Sequence, residues 1–172
     1  FAAHFEKAYG DKGIDPDGAE ERIRLLHEAG IWVHLLLIPG LPGESSQDLQ
    51  EALTWLETTA HMVDCYTVSP FFLSPESPFA RTPERYGLEV LGWEGSPPDV
   101  TLAFNELDGP DWATKKKLIT RSKERFRETI TRIKGHPRYW DDPMHRNLVF
   151  WLYRGLGHGR KAEIARIYHE AL

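Results

Sequence analysis

The residues best suited to touch a ligand are Pro39, Gly40, Leu41, Gly43 and Glu44, in the run IPGLPGES. Prolines and glycines in this order let a chain bend closely around a bound group. A helix start directly after them would aim free N–H groups at anything polar placed there. The chemistry on offer is backbone recognition, not side-chain catalysis. The glycine spacing and trailing lysine of a phosphate-binding P-loop are both absent. Glu44 has two readings of equal weight: it bonds a ligand hydroxyl, or it braces the loop by accepting backbone N–H groups.

Other chemistry-bearing side chains lie on two apolar runs. Residues 31–38, IWVHLLLI, sort by strand alternation into Ile31, Val33, Leu35 and Leu37 on one face and Trp32, His34, Leu36 and Ile38 on the other. In a barrel the second face would point inward and place His34 in the lumen; the plainer reading is a core histidine bonded to one neighbour. The run MVDCYTVSPFF sorts Cys65, Thr67 and Ser69 opposite Asp64, Tyr66 and Val68, with the small polar set as lumen lining. Cys65 has no motif that would make it a nucleophile, and free cysteines are commonly core residues. The 8 histidines show no HExxH-like pairing, so no metal site is expected from this chain.

The elements that must position these residues are well signalled. A helix is predicted over 15–29, with Asp15 as N-cap, Pro16 at its first position, and Ala19, Ile23 and Leu26 on one face. Gly30 ends it, and the strand 31–38 follows at once. After the turn, Ser45 and Asp48 match a capping box, and Leu49, Ala52, Leu53 and Leu56 give the next helix an apolar face to about Thr59. A second strand then ends at Ser69-Pro70. Alternating helices and strands of these lengths imply parallel pairing, with further strands supplied from before residue 1 or by a partner. Residues 72–110 hold half of the 12 prolines and read as loops around one hairpin built from 88–91 and 100–104. A long helix spans 111–134, with Ile119, Phe126, Ile130 and Ile133 on one side, stopped by Gly135-His136-Pro137. Two more helices are predicted over 143–155 and 160–171.

Composition sets outer limits. The chain has 172 residues, 41% of them hydrophobic and 27% charged, which suits one globular domain or one domain with an appendage. No apolar run approaches the roughly 20 residues of a membrane span, and a cytoplasmic location is expected. The first residues, FAAHFEKAYG, show neither an initiator Met nor a secretory signal, which reads as a fragment. One cysteine excludes an internal disulfide and a multi-cysteine metal site made by this chain alone. Within 115–134, nine Lys/Arg against two Glu leave +7, and −12 elsewhere, for −5 in all. That basic helix could bind nucleic acid, although such faces are more often simply solvated.

The run AEERIRLLHEAGIWVHLLLIPGLPGESSQDLQEALTWLE, then VDCYTVSPFFLSPESPF and PERYGLEV, resembles the later part of the radical S-adenosylmethionine (SAM) domain, especially in enzymes that also carry a cobalamin-binding domain. The likeness covers roughly residues 7–91. It implies an α/β fold: the C-terminal βα units of a partial (β/α)6 TIM-like barrel in residues 1–91, then a loop-rich segment and helical C-terminal subdomain in 92–172. The implied activity is reductive cleavage of SAM by a [4Fe–4S] iron–sulfur cluster to a 5′-deoxyadenosyl radical that abstracts a hydrogen atom. With cobalamin, the outcome would be a methyltransferase or ring-modifying reaction. By the same resemblance, Ile38, Pro39, Gly40 and Leu41 lie along the adenine of SAM, with Gly43 and Glu44 shaping the loop and Ser69 close to SAM. His34, Thr67 and Phe71 would face a small-molecule or peptide substrate.

The cluster-binding CxxxCxxC would lie before residue 1, so the N-terminal remainder of the barrel is a required partner and this chain alone is expected to be inactive. The Pro-Gly-Thr-Pro usual after the sixth strand is here Ser74-Pro75-Glu76-Ser77-Pro78. Two other readings stand beside this one. One is a fragment of a non-radical (β/α) barrel enzyme, distinguished by whether three closely spaced cysteines occur upstream. The other is a nucleic-acid- or protein-binding module using helix 111–134, distinguished by a salt-sensitive affinity for nucleic acid.

Overall fold

The computed structural model describes residues 18–94, 101–135, 151–152, 154–157 and 159–170. The predicted cap at Asp15 and Pro16, residues 95–100, the predicted stop at His136-Pro137 and most of the predicted helix 143–155 lie outside them. The described residues fall into two compact units that interleave along the chain. One draws on Ile38–Ala52 and Ser69–Glu124, the other on residues up to Leu37, Leu53–Val68 and those from Arg125 onward.

The second unit contains helix α1 (Ala19–Glu28), whose N-cap is Gly18. Glu20 and Glu21 lie in its first turn and His27 in its last, the arrangement that suits the helix dipole. Arg24 is held on both sides, 2.6 Å from Glu21 and 2.5 Å from Glu28. Of its apolar residues only Ile23 is buried; Leu25 and Leu26 are exposed. Strands β1 (His34–Leu37) and β2 (Cys65–Val68) pair in parallel, with His34 opposite Cys65 and Leu37 opposite Val68. Every residue of β2 is buried, whereas β1 alternates between exposed and half-buried.

The chain between these strands forms α2 (Ser46–Thr59) and a 3-10 turn at Ala60–Met62. Leu49, Leu53 and Leu56 are buried on α2, three of the four positions expected to form its apolar face. Helix α5 (Lys161–Glu170) buries Ile164 and Tyr168. Tyr168 stacks edge-on against Trp32, their centroids 5.4 Å apart.

The first unit is organised on an antiparallel hairpin of β3 (Leu88–Trp93) and β4 (Leu102–Glu106), with a bulge between Val90 and Gly92. The short helix α3 (Pro78–Arg81) starts at Ser77, whose Oγ accepts from the Ala80 amide. A 3-10 turn at Pro83–Tyr86 leads into the hairpin. Leu73, Phe79, Leu88, Leu102 and Phe104 form the buried core here. Sequestering each such side chain is worth about 1.5–3 kcal/mol. Long helix α4 (Trp112–Lys134) is capped by Asp111, whose Oδ1 accepts the Thr114 amide at 2.8 Å.

These elements correct the expected architecture. The described residues form two sheets of two strands each, β1-β2 and β3-β4, and no TIM-like partial barrel. Two observations explain the difference. Only β1 and β2 pair in parallel among the described residues, with no further strand beside them, while the strands after β2 form the separate hairpin expected near 88–91 and 100–104. Only His34–Leu37 of the eight-residue apolar run joins the ladder. The face expected to open into a lumen is filled at its amino end by Trp32 against Tyr168, while Leu36 further along it is 60% exposed. No described helix is long and apolar enough to cross a membrane.

Candidate functional site

The turn between β1 and α2 needs its glycines. Gly40 and Gly43 have φ of +92° and +79°, a left-handed conformation that a side chain disfavours. The turn then closes on its own polar groups. The Gly40 amide donates to Glu44 Oε2 at 2.8 Å, and the Glu44 amide donates to Leu41 O at 3.0 Å. Glu44 therefore braces the loop, one of its two sequence readings. Burial pushes its carboxyl above the ordinary range, opposed by the Gly40 amide and the positive Lys115.

A second carboxylate takes another of the turn's donors. Glu106, at the end of β4, accepts the Gly43 amide through Oε2 at 3.0 Å. Its Oε1 lies 2.5 Å from Lys115 Nζ, in an ion pair whose side chains are only 9% and 2% exposed. Lys115 Nζ also donates to Leu41 O at 2.8 Å. Ile119, one helical turn further along α4, packs directly on Gly40. On the other side, the Phe71 amide donates to Pro39 O at 2.9 Å, tying the segment after β2 to the turn.

The capping box closes as its sequence requires. Ser45 Oγ accepts the Asp48 amide at 3.2 Å, and Asp48 Oδ2 accepts the Ser45 amide at 2.9 Å and its hydroxyl at 2.6 Å. Burial works the other way, but hydrogen bonds, those from Ser45 among them, bring Asp48 down to about 2.

This arrangement limits what the turn can bind. The Gly40, Gly43 and Glu44 amides already have protein acceptors, two of them carboxylates. A phosphate placed there would have to displace a buried negative charge. Of the apolar residues expected along a ligand, Ile38 is 36% exposed and Leu41 is half-buried, whereas Pro39 and Gly40 are buried and present no surface of their own. A rigid apolar surface beside satisfied backbone suits the flat face of a heteroaromatic group.

The other predicted site residues are placed as follows. His34 Nε2 lies 2.8 Å from Thr67 Oγ1, on the face of the β1–β2 sheet where Trp32 Nε1 donates to Cys65 Sγ at 3.3 Å. The sequence alternation grouped these same four side chains. Ser69 is half-buried. Phe71 packs edge-on against Phe79 and Phe104, with centroids 5.4 and 6.0 Å away, so its ring belongs to the hairpin core.

Opposite His34 and Thr67, the Tyr66 ring lies 5.9 Å from Lys134 Nζ. Lys134 donates to Ala60 O at 2.9 Å and to Val63 O, and burial lowers its pKa. Burial raises that of Tyr66, with Cys65 and Asp64 adding to the effect. Asp64 Oδ2 accepts the Val33 amide at 2.7 Å and pairs with Lys161 at 2.9 Å, while Lys161 also donates to Ile31 O at 2.8 Å. These bonds anchor α5 beside β1 and use up the charges they involve.

Lys115 and Glu106 were missed at the level of sequence. Lys115 did leave a signal. It falls four residues before Ile119 on the stripe that continues through Ser122, Phe126 and Ile130, all buried. A lysine on an otherwise buried stripe needs a buried partner. For α4 as a nucleic-acid surface, this removes two cations, since Lys115 and Lys134 turn inward, and a third, Lys116, pairs with Glu94 at 2.6 Å.

The chain does not fit an iron–sulfur cluster on its own. It has one cysteine, and that residue is buried. Among the described residues no three His, Cys, Asp or Glu side chains are grouped to hold a metal. No protein-family model matches the sequence, and no curated protein or solved structure matches it significantly.

Proposed function

We propose that this chain is part of a radical SAM enzyme and supplies a wall beside the adenine of SAM, with Ile38 and Leu41 at its surface and the buried Pro39 and Gly40 behind them. The observation that carries this reading is the self-satisfied turn. Its amides are taken by Glu44, Glu106 and Leu41 O, so it offers an apolar, preorganised surface and no anion nest. Such a surface discriminates toward a nucleoside face and away from nucleotide phosphates. The ordered likeness of residues 7–91 to radical SAM sequences supplies the identity of the nucleoside.

Reductive cleavage of SAM would come from a [4Fe–4S] cluster held by residues outside this sequence. This chain's own contribution is limited to orienting the adenosyl group and excluding water from one side of it. Cytoplasmic location, a small-molecule or peptide substrate, and a cobalamin-dependent methyl transfer belong to the same proposal for the intact protein. Anaerobic reconstitution of that protein with iron, sulfide and reductant, followed by chromatography of SAM products, tests it.

A further inference from the structure

The geometry points to Lys115 and Glu106 as positioning residues that set the conformation of Leu41–Glu44, and so the shape of the surface proposed to meet SAM. The role as adenine wall rests on the functional reading above; the grip on the turn does not.

The two side chains act on neighbouring points of the turn. Lys115 Nζ holds the Leu41 carbonyl at 2.8 Å, and Glu106 Oε2 holds the Gly43 amide at 3.0 Å. Their own 2.5 Å ion pair joins these two grips. Leu41 O also accepts the Glu44 amide, so Lys115 and the first turn of α2 converge on one carbonyl. With the pair only 2% and 9% exposed, water competes poorly for either group. Neither residue is proposed to touch ligand; both act through the backbone of the turn. Residues 101–124, for which the sequence suggested no role in the site, thereby acquire one.

The test uses the intact protein, with Glu106→Gln, which keeps an acceptor for Gly43 but loses the charge, and Lys115→Met, which removes both grips made by Lys115. Amide hydrogen exchange at residues 41–44 is read without ligand, and SAM affinity is read by calorimetry. The expected result is exchange faster by about ten- to a hundredfold at the Gly43 and Glu44 amides in Lys115→Met, with protection at Leu53 and Phe104 retained. SAM should bind at least about tenfold more weakly, and Lys115→Arg should restore much of that loss. Should Lys115→Met fail to fold, Glu106→Gln is the deciding variant, with a smaller change of the same kind. Unchanged exchange in the folded variants would overturn the inference. Faster exchange with undiminished SAM affinity would reduce the pair to a structural role and overturn it equally. A wild-type protein that takes no SAM would defeat the ligand reading, while the exchange comparison would still decide whether the pair sets the turn.

Discussion

Ile119 packs so closely on Gly40 that a β-carbon built at position 40 would overlap Ile119 Cγ1 and lie 3.0 Å from Cδ1. Gly40 is therefore required twice, once by its φ of +92° and once by its neighbour. Gly40→Ala should destabilise by about 2–4 kcal/mol, combining left-handed strain with overpacking. Gly30→Ala, at φ +72° with nothing within 4 Å of its would-be β-carbon, should cost only about 1 kcal/mol. Urea titration of the two variants checks the contrast, and equal losses would show that Ile119 does not confine the turn.

The Lys115–Glu106 pair predicts strong non-additivity. Lys115→Met leaves a nearly buried carboxylate without its cation and should cost about 3–5 kcal/mol. Adding Glu106→Gln removes that stranded charge, so the double variant should be more stable than Lys115→Met by at least about 1 kcal/mol. Additive losses in denaturant unfolding would mean that the pair is not coupled.

Glu44 gives a pH signature. Its pKa is raised in the folded chain above the ordinary 4.5, with burial as the main cause. The folded state therefore holds its proton more tightly than the unfolded state. Its contribution is most favourable below about pH 4.5 and is lost as pH rises through the raised value. Glu44→Gln should lose stability relative to wild type at low pH and gain on it as pH rises toward neutrality. Thermal melts of both proteins across that range should show this trend, and a constant difference would contradict it.

Asp48 behaves in the opposite sense. Its pKa falls from 3.8 to about 2, so its contribution is present above 3.8 and disappears as pH drops toward 2. Ser45→Ala breaks the capping box and should cost about 1 kcal/mol at neutral pH. A smaller penalty is expected near pH 2, where Asp48 is protonated in either protein.

Local features were legible because their causes are local. The capping box at Ser45 and Asp48, the parallel pairing of two apolar strands and the amphipathic stripe of residues 112–134 each follow from neighbours in sequence. The shared face of Trp32, His34, Cys65 and Thr67 followed from strand alternation once those strands were recognised. The barrel did not follow. It came from the resemblance, which implied a partial barrel, whereas among the described residues the parallel sheet holds two strands and β1 keeps only four ladder residues. The grip on the turn was hidden for another reason. Lys115 lies 74 residues from Leu41, and Glu106 lies 63 from Gly43, so only tertiary structure brings them together. A lysine on a buried stripe announced that a partner existed without saying which.

The Pro39–Glu44 turn is proposed above to serve an enzyme that cleaves SAM. The most direct test is incubation of the intact, anaerobically reconstituted and reduced protein with SAM, followed by quantification of 5′-deoxyadenosine and S-adenosylhomocysteine. The account predicts [4Fe–4S] absorbance, formation of at least one of these products, and slower formation in Gly40→Ala at equal cluster content. A protein that shows no cluster absorbance and yields neither product would contradict it.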